Sequence, residues 1–174
     1  MPGTVPRQAK AAATAWVATL GGPHILVPES ACRHWQGAPM DDSEGEGDYG
    51  RACSVEGYIG LIDVGPAQAL VLGDEPSDTT YIPERKAVVR WVGGNSVDDL
   101  VDAAVEIIDS AAIPDDEELI WTVREPLILF DSAFSHKELA SEKHLRIELT
   151  PGRYTVRAAY VNRPNACMIL IRFT

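Results

Sequence analysis

Apolar and polar residues alternate along most of the chain, a pattern typical of β-strands with one buried and one solvent-facing side. The clearest case is RYTVRAAYV, in which Tyr154, Val156, Ala158 and Tyr160 alternate with polar or small residues. We expect this segment to form a half-buried antiparallel strand.

Nine other short apolar or alternating segments, several bounded by Gly or Pro, are candidate strands or parts of strand pairs, and we predict about nine short strands in all. The first two flank Gly21, Gly22 and Pro23, a strong turn signal, and are expected to form a hairpin or two consecutive strands. The segments are AWVATL (15–20), HILVP (24–28), GYIGLIDV (57–64), AQALVLGD (67–74), AVVRWVGG (87–94), ELIWTVRE (118–125), PLILFDS (126–132), HLRIELT (144–150) and CMILIRFT (167–174).

One segment has helical periodicity and predicts a long amphipathic helix over about 96–111. Ser96 is suited to cap its first turn, and Pro114 lies beyond its end. A shorter segment, PESACRHWQG (28–37), predicts one or two helical turns. The apolar positions of the long helix are Val97, Leu100, Val101, Ala104, Val105 and Ile108.

These elements predict a β-rich α+β fold with largely antiparallel sheets and one long helix. The strands do not alternate regularly with helices, which argues against a doubly wound nucleotide-binding fold. We expect residues 14–174 to form a single domain, with a disordered N-terminus at 1–13 and a flexible acidic loop at about 39–48.

The charge balance limits the partners that the protein can have. The chain of 174 residues carries 15 Lys and Arg against 26 Asp and Glu, a net charge of −11. Such a surface repels nucleic acid and anionic lipid, and it suits either a basic partner or solubility alone. We therefore expect neither nucleic acid nor a membrane as a partner, and the sequence leaves the oligomeric state undetermined.

The three cysteines predict a cytoplasmic location. Cys32, Cys53 and Cys167 are odd in number and contain no CxxC pair, which argues against a disulfide framework. No apolar run approaches the roughly 18 residues that cross a membrane, and the N-terminus lacks the apolar run of a signal peptide.

No motif indicates catalysis. His24, His34, His136 and His144 are scattered, and Cys32 forms only a lone Cys-x-His with His34. We therefore predict no enzymatic activity, no cofactor and no metal site; an unrecognised hydrolase would need a pocket holding a perturbed carboxylate or histidine.

The stretch DDSEGEGD (41–48) concentrates five carboxylates and poses a choice between a calcium loop and a partner-facing loop. If Asp42 is position 1 of a calcium loop, acids also occupy positions 3, 5 and 7. Position 12, however, is Cys53, so the bidentate glutamate is missing. A small regulatory domain that binds calcium or another ligand remains the alternative function. The five carboxylates are Asp41, Asp42, Glu44, Glu46 and Asp48.

The long helix carries an acidic stripe of Asp98, Asp102, Glu106 and Asp109, at spacings of four, four and three. The three neighbouring pairs among these four acids repel each other and would lower the stability of an isolated helix by roughly 1 kcal/mol in total. The stripe is therefore either a binding face or a merely solvated face. Trp35 poses a similar choice, between an interface anchor and a core residue.

Several segments resemble the immunity protein 21 family of bacterial polymorphic toxin systems, and the resemblance extends from about residue 16 to the end. The most specific are GGPHILVPES, DYGRAC and LGDEP, and PGRYTV is a looser match. They occur in order within WVATLGGPHILVPESACRHWQG, DYGRACSVEGYIGLIDVG, ALVLGDEPSDTTYIP, VVRWV, LFDSA and PGRYTVRA.

The resemblance implies a small, mostly β, cytoplasmic protein that protects its producer from a toxin, without a transferable catalytic motif. We therefore expect an immunity protein that binds a cognate toxin tightly, with a basic nuclease-type toxin as one possibility. The acidic run at 41–47 is not part of the family pattern and reads as a variable insert. The candidate contacts are Asp98, Asp102, Glu106, Asp109, Asp41, Asp42, Glu44, Glu46, Asp48 and Trp35.

Overall fold

The fold, taken from a computed structural model that describes residues 14–40, 47–111 and 113–174, is built on two antiparallel sheets. The six-stranded sheet has the order β1-β5-β6-β11-β10-β7, and the five-stranded sheet has the order β3-β4-β2-β8-β9. The strands are β1 Trp16–Val17, β2 His24–Pro28, β3 Ile59–Val64, β4 Ala67–Leu72, β5 Thr79–Ile82, β6 Ala87–Gly94, β7 Glu117–Val123, β8 Leu127–Asp131, β9 Leu145–Ile147, β10 Gly152–Arg163 and β11 Ala166–Phe173. The helices are α1 Gly47–Cys53, α2 Val97–Ser110 and two 3₁₀ helices, Glu29–His34 and Pro83–Arg85.

The predicted β-rich α+β class is confirmed, with eleven strands in the described residues where about nine were expected. The hairpin alternative for the first two segments is wrong, because β1 pairs with β5 in one sheet and β2 with β4 and β8 in the other. Residues 1–13 and most of the acidic loop lie outside the described residues, so the expectations about their order remain predictions.

The two sheets bury three apolar layers. Their facing sides share one core, which includes Leu26 and Leu129 from the five-stranded sheet and Val156 and Ile171 from the six-stranded sheet. The outer side of the five-stranded sheet is covered by the first 3₁₀ helix and α1, and the outer side of the six-stranded sheet by α2. Both faces of each sheet are thus partly buried, which explains the mixture of alternating and continuously apolar strands.

The helix α2 begins as the sequence predicts, because the Ser96 hydroxyl accepts a hydrogen bond from the Asp99 backbone N–H at 3.1 Å. Its buried face differs from the prediction: Leu100, Ala104 and Ile107 are buried, whereas Val97 is 40% exposed. Successive buried positions are four and three residues apart, as expected for one face of a helix. The valines of α2 therefore lie on the flank of this buried face.

Candidate functional site

The acidic stripe on α2 is solvent-facing, as the sequence predicts, but it is not uniformly open. Asp98, Asp102 and Glu106 are exposed and form no ion pair within the described part of the chain. Asp109 is different, because Arg85 donates from Nε and Nη2 to its two oxygens at 2.7 and 2.9 Å. These hydrogen bonds hold the pKa of Asp109 below its usual range. The open part of the stripe is therefore Asp98, Asp102 and Glu106, which we call the α2 acidic stripe.

The acids that follow α2 are engaged in holding strands together. Asp115 and Glu118 pair with Arg157 of β10, and Asp116 accepts the Tyr160 backbone N–H at 2.7 Å. Glu117 reaches across to the other sheet, where it accepts backbone N–H groups at the start of β3. Residues 115–118 therefore contribute acids to the fold itself, and the α2 acidic stripe is the more available surface.

Asp48 lies at the start of α1 and is tied to the fold. Its carboxylate accepts a hydrogen bond from Arg51 at 2.7 Å and another from the Gln36 backbone N–H at 2.7 Å. These bonds and its place in the first turn of α1 hold Asp48 against the folded chain, and its role as a toxin contact stays a prediction. The remaining acidic candidates of this loop, Asp41, Asp42, Glu44 and Glu46, lie outside the described residues.

Trp35 is a core residue, and the suggestion that it anchors an interface is wrong. Its side chain is 0% exposed and packs in the layer beneath the first 3₁₀ helix. Its indole Nε1–H donates to the Ser132 carbonyl at 3.0 Å. With its polar atom satisfied internally, Trp35 has no surface to offer a partner.

The three most specific sequence segments meet in space, although they are far apart in the chain. Together they line a cleft of about 430 Å³, formed by the GGP turn, the end of DYGRAC with the residues after it, and Gly73, Asp74 and Pro76 of LGDEP. The approach is close at Gly22, where a Cβ atom would meet the Tyr49 ring, and at Gly73, where it would meet the Gly57 carbonyl. Glycine is thus required at these positions because a larger residue would clash with its neighbours. Nothing in the sequence pattern indicates that the three motifs lie together.

A buried polar network lies next to the GGP turn. The His24 ring hydrogen-bonds to the Thr79 hydroxyl and the Ala18 carbonyl, each at 3.1 Å. The side chain of Asp131 accepts backbone N–H groups from Leu20 at 2.6 Å and from Ala133 at 2.9 Å. Burial lowers the pKa of His24 from 6.5, and the Ala18 carbonyl and the charge of Asp131 only partly oppose that shift.

We expect the protein to lose stability on acidification through His24. Well above pH 6.5 the His24 ring is neutral in both states. Between pH 6.5 and the lower pKa of the folded state, the unfolded chain takes up a proton that the folded protein does not, so the free energy of unfolding falls by up to about 1.4 kcal/mol per pH unit. Urea unfolding at a series of pH values tests this, with His24→Gln expected to flatten the slope. The exposed His144 provides the control His144→Gln, and a slope unchanged by His24→Gln would contradict the assignment.

No helix within residues 14–40, 47–111 and 113–174 is long and apolar enough to span a membrane.

No curated protein and no solved structure matches the chain. The family model described as Immunity protein 21 does match, over residues 15–166. The matched region includes every strand up to β10, the cleft formed by the three motifs, and α2 with its acidic stripe, and it ends at the first residue of β11. The chain therefore belongs to the immunity protein 21 family.

Proposed function

We propose that the protein neutralises a cognate bacterial toxin by binding it directly, and so protects the cell that makes both. The observation that carries this proposal is the family match over residues 15–166, since an immunity protein implies a toxin as its partner. Steric or electrostatic blocking of the toxin needs no catalytic group.

The α2 acidic stripe is the surface that we assign to the encounter with the toxin. Its three carboxylates project from one rigid helix, without an ion pair among the described residues. A toxin that acts on nucleic acid needs a basic cleft, and complementary charge accelerates the association of such a pair. The stripe thus favours a basic, nuclease-type toxin as the partner.

The proposal is tested with the toxin domain encoded beside the gene for this protein. Producing that domain alone is expected to arrest growth of the host, and producing this protein with it is expected to restore growth. The two purified proteins should also elute together in size-exclusion chromatography. Growth arrest without rescue, and without a complex, would refute the proposed function.

Reversing charge on the stripe should slow association with the toxin. In the variant Asp102→Lys/Glu106→Lys, we expect the association rate constant at low ionic strength to fall roughly tenfold. The difference should shrink as added salt screens the charges. Biolayer interferometry across a salt series gives both quantities.

The matched control for this variant is Glu56→Lys/Glu75→Lys, which makes the same change in net charge at exposed acids outside α2. Both positions are exposed on α2 and lysine is a good helix former, so we expect no loss of folding stability. Equal slowing by both variants would mean that net charge, and not the stripe, governs association.

A further inference from the structure

An apolar groove runs along the flank of α2 beside the acidic stripe. It has a volume of about 520 Å³ and lies between α2, strand β5 with the turn that follows it, and strand β9 of the other sheet. The groove is open to solvent and its walls are mainly side chains of large apolar residues. Those that carry the argument are Tyr81, Ile82, Val101, Val105, Leu145 and Ile147.

The valines of α2 form a line that the core does not use fully. Val101 and Val105 are half-buried and line the groove, and Val97, one turn earlier, is 40% exposed. Each valine directly precedes one acid of the α2 acidic stripe in the sequence. A spacing of four residues keeps each set on one line, so an apolar line and an acidic line run side by side along the helix.

The two arginines nearest the groove are already paired with carboxylates, whereas Glu84 and the α2 acidic stripe leave open negative charges beside it. Arg146, which lines the groove, pairs with Glu29 and Glu148. Arg85, in the turn after β5, pairs with Asp109. Glu84 on the groove wall is exposed, and no described residue forms an ion pair with it. The groove therefore combines an apolar centre with a net negative rim.

We propose that this groove receives an apolar side chain of the toxin, carried on a segment that also bears Lys or Arg to meet the α2 acidic stripe. The inference rests on the proposed function and deepens it by assigning a contact. Tight protein interfaces have an apolar, desolvated centre surrounded by a polar rim, and a few central residues contribute most of the affinity. The stripe governs the approach of the toxin, and the groove governs how long the complex lasts.

The test is the variant Val101→Thr/Val105→Thr, measured against the toxin domain encoded beside this gene. Threonine keeps the shape of valine and has a similar helix propensity, so the helix should persist. Two methyl groups that become hydroxyls in a desolvated contact should raise the dissociation rate constant about tenfold. The association rate constant should stay unchanged, in contrast to Asp102→Lys/Glu106→Lys.

The control is Val55→Thr, another half-buried valine, which lies on the side of the five-stranded sheet away from α2. Circular dichroism melting of all variants shows whether folding is retained, and filling the groove with Val101→Phe provides a second variant that should also weaken the complex. Dissociation as slow as wild type for both groove variants would overturn the inference and leave the proposed function standing. A wild-type protein that does not bind the toxin would instead refute the proposed function.

Two other occupants have distinct signatures in the same experiment. If a second copy of this chain fills the groove, wild-type protein should form a dimer in light scattering that the threonine variant loses. If residues 1–13 fill it, their deletion should lower the melting temperature as much as the threonine variant does. Either result, combined with unchanged toxin dissociation, would overturn the inference.

Discussion

Replacing Trp35 with alanine is expected to lower the free energy of unfolding by about 3–5 kcal/mol. The side chain is fully buried between the first 3₁₀ helix and the outer face of the five-stranded sheet. Its removal leaves a large cavity and also leaves the Ser132 carbonyl without the indole N–H. The loss would remove a large part of the stability of an ordinary single domain.

Urea unfolding followed by circular dichroism measures this loss, and Trp35→Phe serves as the matched comparison. Phenylalanine keeps much of the apolar volume but not the hydrogen bond, so its cost should lie well below that of alanine. The toxin association rate of the still-folded Trp35→Phe should equal that of wild type. A stability loss below about 1 kcal/mol for alanine would contradict the burial of Trp35.

Local periodicity explains why much of the secondary structure was predictable. Strand β6 occupies the predicted 87–94, and α2 falls inside the predicted 96–111 with the predicted Ser96 cap. These features depend on side chains within one or two turns or on neighbouring strand positions. The exposure of the α2 acidic stripe was predictable for the same reason.

Long-range pairing explains what the sequence did not reveal. Strands β7 and β8 are neighbours in the chain but belong to different sheets. The sheet that each joins is determined by its pairing partner, β10 for β7 and β2 for β8. No Lys or Arg occurs between Asp98 and Glu118, yet Arg157 of β10 and Arg172 of β11, both far along the chain, neutralise Asp115. No local pattern encodes such pairs.

Short elements with weak secondary-structure propensity are the other features that the sequence did not predict. Strand β5, Thr79–Ile82, has only four residues and follows a stretch rich in turn-forming residues. Helix α1 contains glycines, which lower helix propensity, and its placement depends on the pairing of Asp48 with Arg51 and Gln36. The burial of Trp35 also depends on tertiary contacts. The residues around it are compatible with either a buried or an exposed position at the end of a short helix, so the local sequence could not decide between the two.

Asp131 links the ends of several elements and is the second site where a single change should have a large effect. It ends β8, is 1% exposed, and accepts backbone N–H groups from Leu20 and Ala133. The next residue, Ser132, donates its backbone N–H and its hydroxyl to the Pro23 carbonyl. Asp131 and Ser132 together therefore hold the GGP turn on one side and the loop after β8 on the other.

We expect Asp131→Ala to lower the free energy of unfolding by about 3 kcal/mol or more, because each hydrogen bond to a charged group contributes about 1.5–3 kcal/mol. In a domain of this size that corresponds to a fall of roughly 6–12 °C in melting temperature.

The matched control is Asp78→Ala, which removes the same charge near the same turn. The Asp78 carboxylate is exposed and accepts one long hydrogen bond, 3.3 Å, from the Thr19 backbone N–H. Its expected cost is below about 1 kcal/mol. If differential scanning calorimetry gave equal shifts for the two variants, general electrostatics would explain the effect; a much larger shift for Asp131→Ala would show that burial and two directed N–H bonds make this carboxylate the anchor of the turn.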